Sequence, residues 1–123
     1  MPAMSNTGAQ SAPPVIRVWD KDEVRIISVE GPLTISHLFP FQDAWRAEAA
    51  APRLVLDLSG VPYADSSAIG SFVNAHVSRQ NRGGTMAVVV VERVKKVLEI
   101  TKVTGIFPVC ATLEEAISAT QKR

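Results

Sequence analysis

The side chains most able to do chemistry lie in one run, Asp57-Leu58-Ser59-Gly60-Val61-Pro62-Tyr63-Ala64-Asp65-Ser66-Ser67-Ala68-Ile69-Gly70. It joins an apolar, strand-like segment to a helical pattern. Asp65, Ser66 and Ser67 all have side chains that accept hydrogen bonds from the free amides of a helix start. One reading is purely structural: the trio caps the helix. A second follows from the same local geometry. A helix start presents free N–H groups and the positive end of the helix dipole, so it tolerates an anion. A phosphate on Ser66 would fit there and would add about −1.5 to −2 charge beside Asp65. A partner docking an acidic or apolar face would then be repelled. That is the physics of a binding switch rather than of a catalyst, and the residue types alone leave both readings open.

Catalysis finds little support. A serine nucleophile needs a base within hydrogen-bond reach. His76 falls about three turns into the same helix, roughly 15 Å along the axis at 1.5 Å per residue, and so points away from Ser66. His37 precedes the first helix, and nothing in the sequence ties it to Ser66. Neither histidine has a partner at ligand or triad spacing. Both are expected to be structural or surface residues. The single cysteine, Cys110, excludes an internal disulfide, a CxxC redox site and a cysteine-rich zinc site. Gly83-Gly84 is a loop pair, not a phosphate-cradling motif. No metal and no cofactor is expected. An aspartate-phosphorylated receiver domain should open with one strand and a helix and carry acidic residues at strand ends. This chain opens with two strands, and Asp57 sits inside one.

The elements that must position the run alternate regularly. Val15 to Trp19 and Val24 to Glu30 are β-rich, and Asp20 to Glu23 between them is a polar turn, which reads as a hairpin. Gly31-Pro32 ends the second strand. A helix starts near Pro40, where a missing amide costs nothing. Its Phe41, Ala44, Trp45 and Ala49 follow helical spacing, and Ala51-Pro52 stops it. Leu54 to Leu58 is a compact strand. Ile69, Phe72, Val73 and Val77 mark a helix from about Ser66 to Gln80, closed by Asn81 to Gly84. Thr85 to Val91, with valine at 88 to 91, reads as a strand buried on both faces. Glu92 to Lys102 is helical, with Val94, Val97, Leu98 and Thr101 inward and Thr104-Gly105 as its cap. Phe107 to Cys110 is a short strand. Thr112-Leu113-Glu114-Glu115 fits a capping box that opens the last helix. The order β-β-α-β-α-β-α-β-α predicts an α/β fold with a mostly parallel central sheet and an N-terminal hairpin.

Length and charge bound the function classes. The 123 residues suit one domain. Thirteen basic and twelve acidic residues leave a net charge of +1, which argues against gripping a nucleic-acid backbone. The 46% hydrophobic content is enough to build a core. Residues 1–14 carry no charged side chain and read as a flexible tail ending at Pro13-Pro14, leaving 15–123 as the domain. The longest apolar run, Met86 to Val91, is far shorter than the roughly 20 residues that cross a bilayer. With no signal-peptide pattern either, a cytoplasmic location without membrane insertion is expected. From Arg79 to Lys102 six basic residues face two acidic ones. That excess is either a solvated helix surface or an electrostatic patch for a partner.

Asp65-Ser66-Ser67-Ala68-Ile69-Gly70 resembles the motif of the STAS domain family, the bacterial anti-sigma factor antagonists, in which Asp-Ser-Ser/Thr-Gly-Leu-Gly opens a helix. The preceding Leu54 to Val61 resembles that family's strand and turn. Gly83-Gly84 and Val94 to Ile106, ending in Val103-Thr104-Gly105-Ile106, are similar too, so the likeness spans about 15–120. The resemblance implies a non-enzymatic regulator of transcription. Its partner would be an anti-sigma factor serine kinase with a histidine-kinase-like ATP-binding fold. That kinase would phosphorylate Ser66, with Ser67 a secondary acceptor, and a phosphatase would reset the cycle. Asp65, Ser66, Ser67, Ala68, Ile69 and Thr34 are the implied partner-binding positions. Two of these depart from the family pattern. Thr34 follows Gly31-Pro32-Leu33 where an acidic residue is common, and Ala68 replaces a glycine whose absence is expected to narrow access to the acceptor. Those departures keep an alternative open: a STAS scaffold of a stress-sensing assembly, or an accessory subunit of a phospholipid transporter, with no phospho-switch.

Overall fold

A computed structural model describes residues 13–122 of the chain. Residues 1–12 of the expected tail lie outside the described residues, while Pro14 at its end is buried. Strands β1 (Val15–Lys21) and β2 (Val24–Glu30) lead through a short 3-10 turn (Ile35–His37) into α1 (Phe39–Ala47). Then follow β3 (Arg53–Gly60), α2 (Ser66–Asn81), β4 (Thr85–Val90), α3 (Glu92–Ile100), β5 (Val109–Cys110) and α4 (Leu113–Gln121). The order expected from the sequence is the order observed.

The five strands lie side by side in chain order. β1 pairs antiparallel with β2, and the other neighbours are parallel. Right-handed crossovers that advance in one direction place successive helices on the same face. So α1, α2 and α3 share one face. There Phe41, Trp45, Phe72, Val94 and Leu98 pack on Ile27, Val29, Leu54, Leu56, Leu58, Met86, Val88 and Val90. The Phe41 and Phe72 rings meet edge to face at 5.7 Å, and Trp45 Nε1 donates to the buried Ser71 hydroxyl at 3.1 Å. Alternation along the strands sends Val24, Ile26, Val55, Ala87 and Val89 to the opposite face, where α4 covers them with Ala116 and Ile117. Helix α4 has nine residues and covers only the half of that face nearer the start of the parallel strands. The other half carries Ser28, Glu30, Asp57 and Ser59, and with Arg17 and Trp19 of β1 it forms an open concavity of about 860 Å³.

Local chemistry sets the element ends, and several differ from the sequence expectation. The hairpin turn is two residues, not four. Asp22 (φ 53°) and Glu23 (φ 65°) are both left-handed, the tight geometry that matches strand twist, so Asp20 and Lys21 remain in the strand. Asp20 accepts from Arg25, which also bridges to Glu48 after α1. Helix α3 stops at Ile100, two residues early. The Thr101 hydroxyl bonds back to the Val97 and Leu98 carbonyls, and Lys102 (φ 64°), not Thr104-Gly105, takes the left-handed position. β5 is shorter than expected because Pro108 contributes only its carbonyl, which accepts from the Val88 amide.

Arg79, counted with the basic run in the sequence, is buried at 2% exposure. Its Nη1 donates to the carbonyls of Glu48, Ala49 and Ala51, where the chain leaves α1. Gly84 makes that clamp possible: a Cβ there would lie 2.4 Å from the Pro52 carbonyl oxygen and 3.0 Å from the Arg79 stem. Arg79→Met leaves those carbonyls without their donor and is expected to cost about 2–3 kcal/mol in urea unfolding. The exposed neighbour change Arg82→Met is expected to stay within about 0.5 kcal/mol.

Candidate functional site

The loop after β3 is an ordered extension of the sheet. The Val61 amide donates to the Leu58 carbonyl at 2.9 Å, and Val61 and Ala64 are buried. Leu33 and Ala64 form a parallel bridge. The Leu33 amide donates to the Tyr63 carbonyl at 2.9 Å, and the Asp65 amide donates to the Leu33 carbonyl at 3.1 Å. Gly60 allows the two chains to approach, since a Cβ there would meet Glu30 Cγ at 2.9 Å and the Val29 carbonyl at 3.1 Å.

Asp65 is the N-cap of α2, with extended backbone. One carboxylate oxygen accepts from the Ala68 amide at 3.0 Å and the other from the Ile35 amide at 2.9 Å. Its carbonyl accepts from the Ile69 amide at 3.1 Å, beginning the helix. A single side chain therefore ties the start of α2 to the 3-10 turn after β2.

The six residues singled out in the sequence divide by depth. Ser66 is exposed at the first turn, and Asp65, Ser67 and Thr34 are half-buried beside it. Ala68 and Ile69 are buried, at 0% and 5% exposure, and hold the helix start against the core. The Ala68 methyl is thus packed inward, so it does not narrow the approach to Ser66. Down the outer face of α2, Gly70 and Asn74 follow Ser66, and a Cβ at Gly70 would meet no neighbour within 4 Å.

Three large apolar residues that sequence reasoning missed are exposed, two of them in the segments that meet at this start. Ile35 is 66% exposed, Phe39 73% and Tyr63 51%. Two of them flank atoms already described: Ile35 donates to Asp65, and Tyr63 accepts from Leu33. The available signal was spacing. Leu38, Phe41 and Trp45 form the inward stripe of α1, and Phe39 falls outside it.

Ser66 is exposed at this start, and His37 ends the 3-10 turn that Asp65 ties to it. The Asp65 carboxylate is engaged by two amides, and His76 lies far down α2 with its ring 5.7 Å from Phe107. Among the described residues no group of three or more metal-ligating side chains comes together, and no helix is long and apolar enough to cross a membrane. Burial pushes the Cys110 thiol pKa up, away from a reactive thiolate.

Comparison with known proteins places these features in a family. Residues 16–116 match the STAS domain. The crystal structure of an anti-sigma factor antagonist from Mycobacterium paratuberculosis superposes with a TM-score of 0.82 at 25% identity, covering 89% of this chain and 95% of that one. A Thermotoga maritima protein, provisionally assigned to the same class, gives 0.80 at 26% identity, covering 87% and 95%. The Bacillus cell fate determinant SpoIIAA in its phosphorylated form shares the fold at 16% identity, with a TM-score of 0.65 over 85% and 97%. A search of curated protein sequences found no match.

Two outcomes follow from the geometry. Asp65→Ala removes the acceptor of two amides and is expected to cost about 1–2 kcal/mol in urea unfolding. Asp65→Asn, which keeps one carbonyl oxygen, is expected to cost less. For His76, burial lowers the pKa and the Nδ1 atom has no hydrogen-bond partner. The unfolded chain therefore binds the proton more readily. Stability is full above the ordinary histidine value near 6.5 and falls as pH drops through and below it. His76→Leu is expected to flatten this part of the stability–pH curve, measured by thermal melts in matched buffers.

Proposed function

This chain belongs to the STAS domain family, and on that premise we propose that it is an anti-sigma factor antagonist. In this reading it binds an anti-sigma factor serine kinase through the start of α2 and releases it when Ser66 is phosphorylated. The observation that carries the reading is the placement of Ser66. Ser66 is exposed on the first residue of a helix whose N-cap carboxylate is already engaged, and exposed Ile35 and Tyr63 lie in the two segments that are tied together at that start. The family membership and the Mycobacterium antagonist's likeness over most of both chains support the choice of partner.

The steps are simple on this chain's side. The apolar residues and the flat outer face of α2 dock the kinase. The Ser66 Oγ attacks the γ-phosphorus of the kinase's ATP, ADP leaves, and the hydroxyl proton passes to a base on the kinase. Helix geometry leaves the first-turn amides of Ser66 and Ser67 without intrahelical carbonyls, so they can receive the phosphate. The added charge of about −1.5 to −2 lies beside Asp65 and repels the docked surface. A phosphatase returns the hydroxyl by hydrolysis, and Ser67, half-buried one position on, is the secondary acceptor.

The test is incubation with the cognate kinase and Mg-ATP, with phosphate located by mass spectrometry. Phosphate is expected on Ser66. Ser66→Ala is expected to bind normally and stay unmodified, and Ser66→Asp to bind at least about tenfold more weakly by calorimetry, or about 1.4 kcal/mol. Phe39→Ala is expected to weaken binding without changing the melting temperature. A complex that forms with no phosphate on Ser66 or Ser67 removes the switch. Stable co-purification with a large assembly or a transporter ATPase, indifferent to Ser66→Ala, replaces the reading with the scaffold or accessory role.

A further inference from the structure

The two edges of the sheet are unequal. β5 offers two residues preceded by Pro108, which has no amide to donate. β1 offers seven residues without proline or glycine. On the concave face it exposes Val15 at 51% and Trp19 at 41%, and on the other face Val18 at 44%. Among the described residues nothing pairs with this edge, and an unpaired edge of this length is a template for another strand unless it is blunted. Exposed valines and a tryptophan are the side chains that favour strand pairing rather than prevent it.

We propose that β1 pairs antiparallel with β1 of a second copy of this chain, joining the two sheets into one about a two-fold axis at Val18. This surface is separate from the start of α2, so the proposal does not rest on the kinase reading. The register argument selects the occupant. In a two-fold antiparallel pair, opposed residues share a face, so the axis must pass through a residue position. Val15–Lys21 overlaps itself completely only when that residue is Val18. Val18 then meets Val18, Arg17 meets Trp19 of the second copy, Ile16 meets Asp20, and Val15 meets Lys21. No like charges are opposed. Moving the axis to Arg17 sets arginine on arginine, to Trp19 sets Arg17 on Lys21, and to Asp20 sets aspartate on aspartate, each destabilising across a ladder. The Arg17–Trp19 pairs add a cation over an indole on each side of the axis.

The open half of the sheet supports the same occupant. Arg17 and Trp19 line the concavity with Ser28, Glu30, Asp57 and Ser59. Trp19 of the second copy, opposite Arg17, stands on that face. It walls the concavity on the side where the single chain leaves it open. Two equivalent hollows then flank the axis, and the exposed tryptophan of each copy is covered by the other.

Sedimentation equilibrium from micromolar to near-millimolar protein is expected to show a reversible monomer–dimer equilibrium. Trp19 emission is expected to shift to the blue as the dimer forms, while the already buried Trp45 stays constant. Val18→Lys and Val18→Asp each place like charges on the axis. Each is expected to weaken dimerisation by about tenfold or more. An equimolar mixture of the two variants restores a dimer, because lysine then meets aspartate. Val18 is exposed enough for both variants to fold, and melting curves check it. Trp19→Ala is expected to weaken association in the same way. A wild-type chain that stays monomeric throughout the range overturns the proposal. So does a dimer indifferent to both Val18 variants, or a variant mixture that remains monomeric.

Discussion

The Asp65 carboxylate holds the candidate site together. It accepts one amide from the first turn of α2 and one from the turn after β2, two segments separated in sequence by α1 and β3. Each bond alone is worth about 1 kcal/mol. Their joint effect is geometric: they fix where the 3-10 turn stands relative to the helix that carries Ser66. The same interaction that builds the surface turns both oxygens of this carboxylate toward backbone amides.

The scaffold behind this site is lopsided for a topological reason. Strands added in chain order with one crossover hand send three helices to one face and leave the last helix alone on the other. The larger core therefore forms beneath α1 and α2, and Arg79 locks the end of α1 to α2 from below. A guanidinium is expensive to bury; here burial lowers its pKa, and three carbonyls accept from its Nη1 while its Nε stays unpaired among the described residues. The clamp sits at the C-terminal end of α2, opposite the end that Asp65 caps.

The element order and most of the inward stripes were readable because periodicity reports burial; Val77, spaced with Ile69, Phe72 and Val73, is the exception at 43% exposure, because the buried face of α2 runs through Ala68, Phe72, Ala75 and Arg79 instead. Phe72, Leu98 and the β4 valines lie where their spacing put them. The capping box at Thr112 and Glu115 formed as its residue types required. Element ends were less legible, since they depend on single residues finding local partners: Thr101 turning back on its own helix, or Asp22 and Glu23 accepting left-handed backbone. Arg79 was misread because charge alone predicts exposure, and only the fold brings three carbonyls to it. The exposure of Ile35 and Tyr63 was illegible for a related reason. Each is an unremarkable apolar residue in sequence, and only the backbone bonds that bring their segments to Asp65 give that exposure meaning. Ala68 shows the converse, a departure from a motif that looks consequential until its methyl is found in the core.

Helix α4 has a consequence for the life of the chain before it is complete. Its Thr120 carbonyl accepts from Thr85, and Gln121 donates to the Asp22 carbonyl, 99 residues earlier. Strands in chain order can be laid down one after another as the polypeptide emerges. The second face cannot close until α4 arrives. During synthesis Val24, Ile26, Val55, Ala87 and Val89 form a sticky sheet surface awaiting its lid. A chain lacking α4 would thus present a nearly whole sheet with one apolar face uncovered, a species marked for chaperones and proteases.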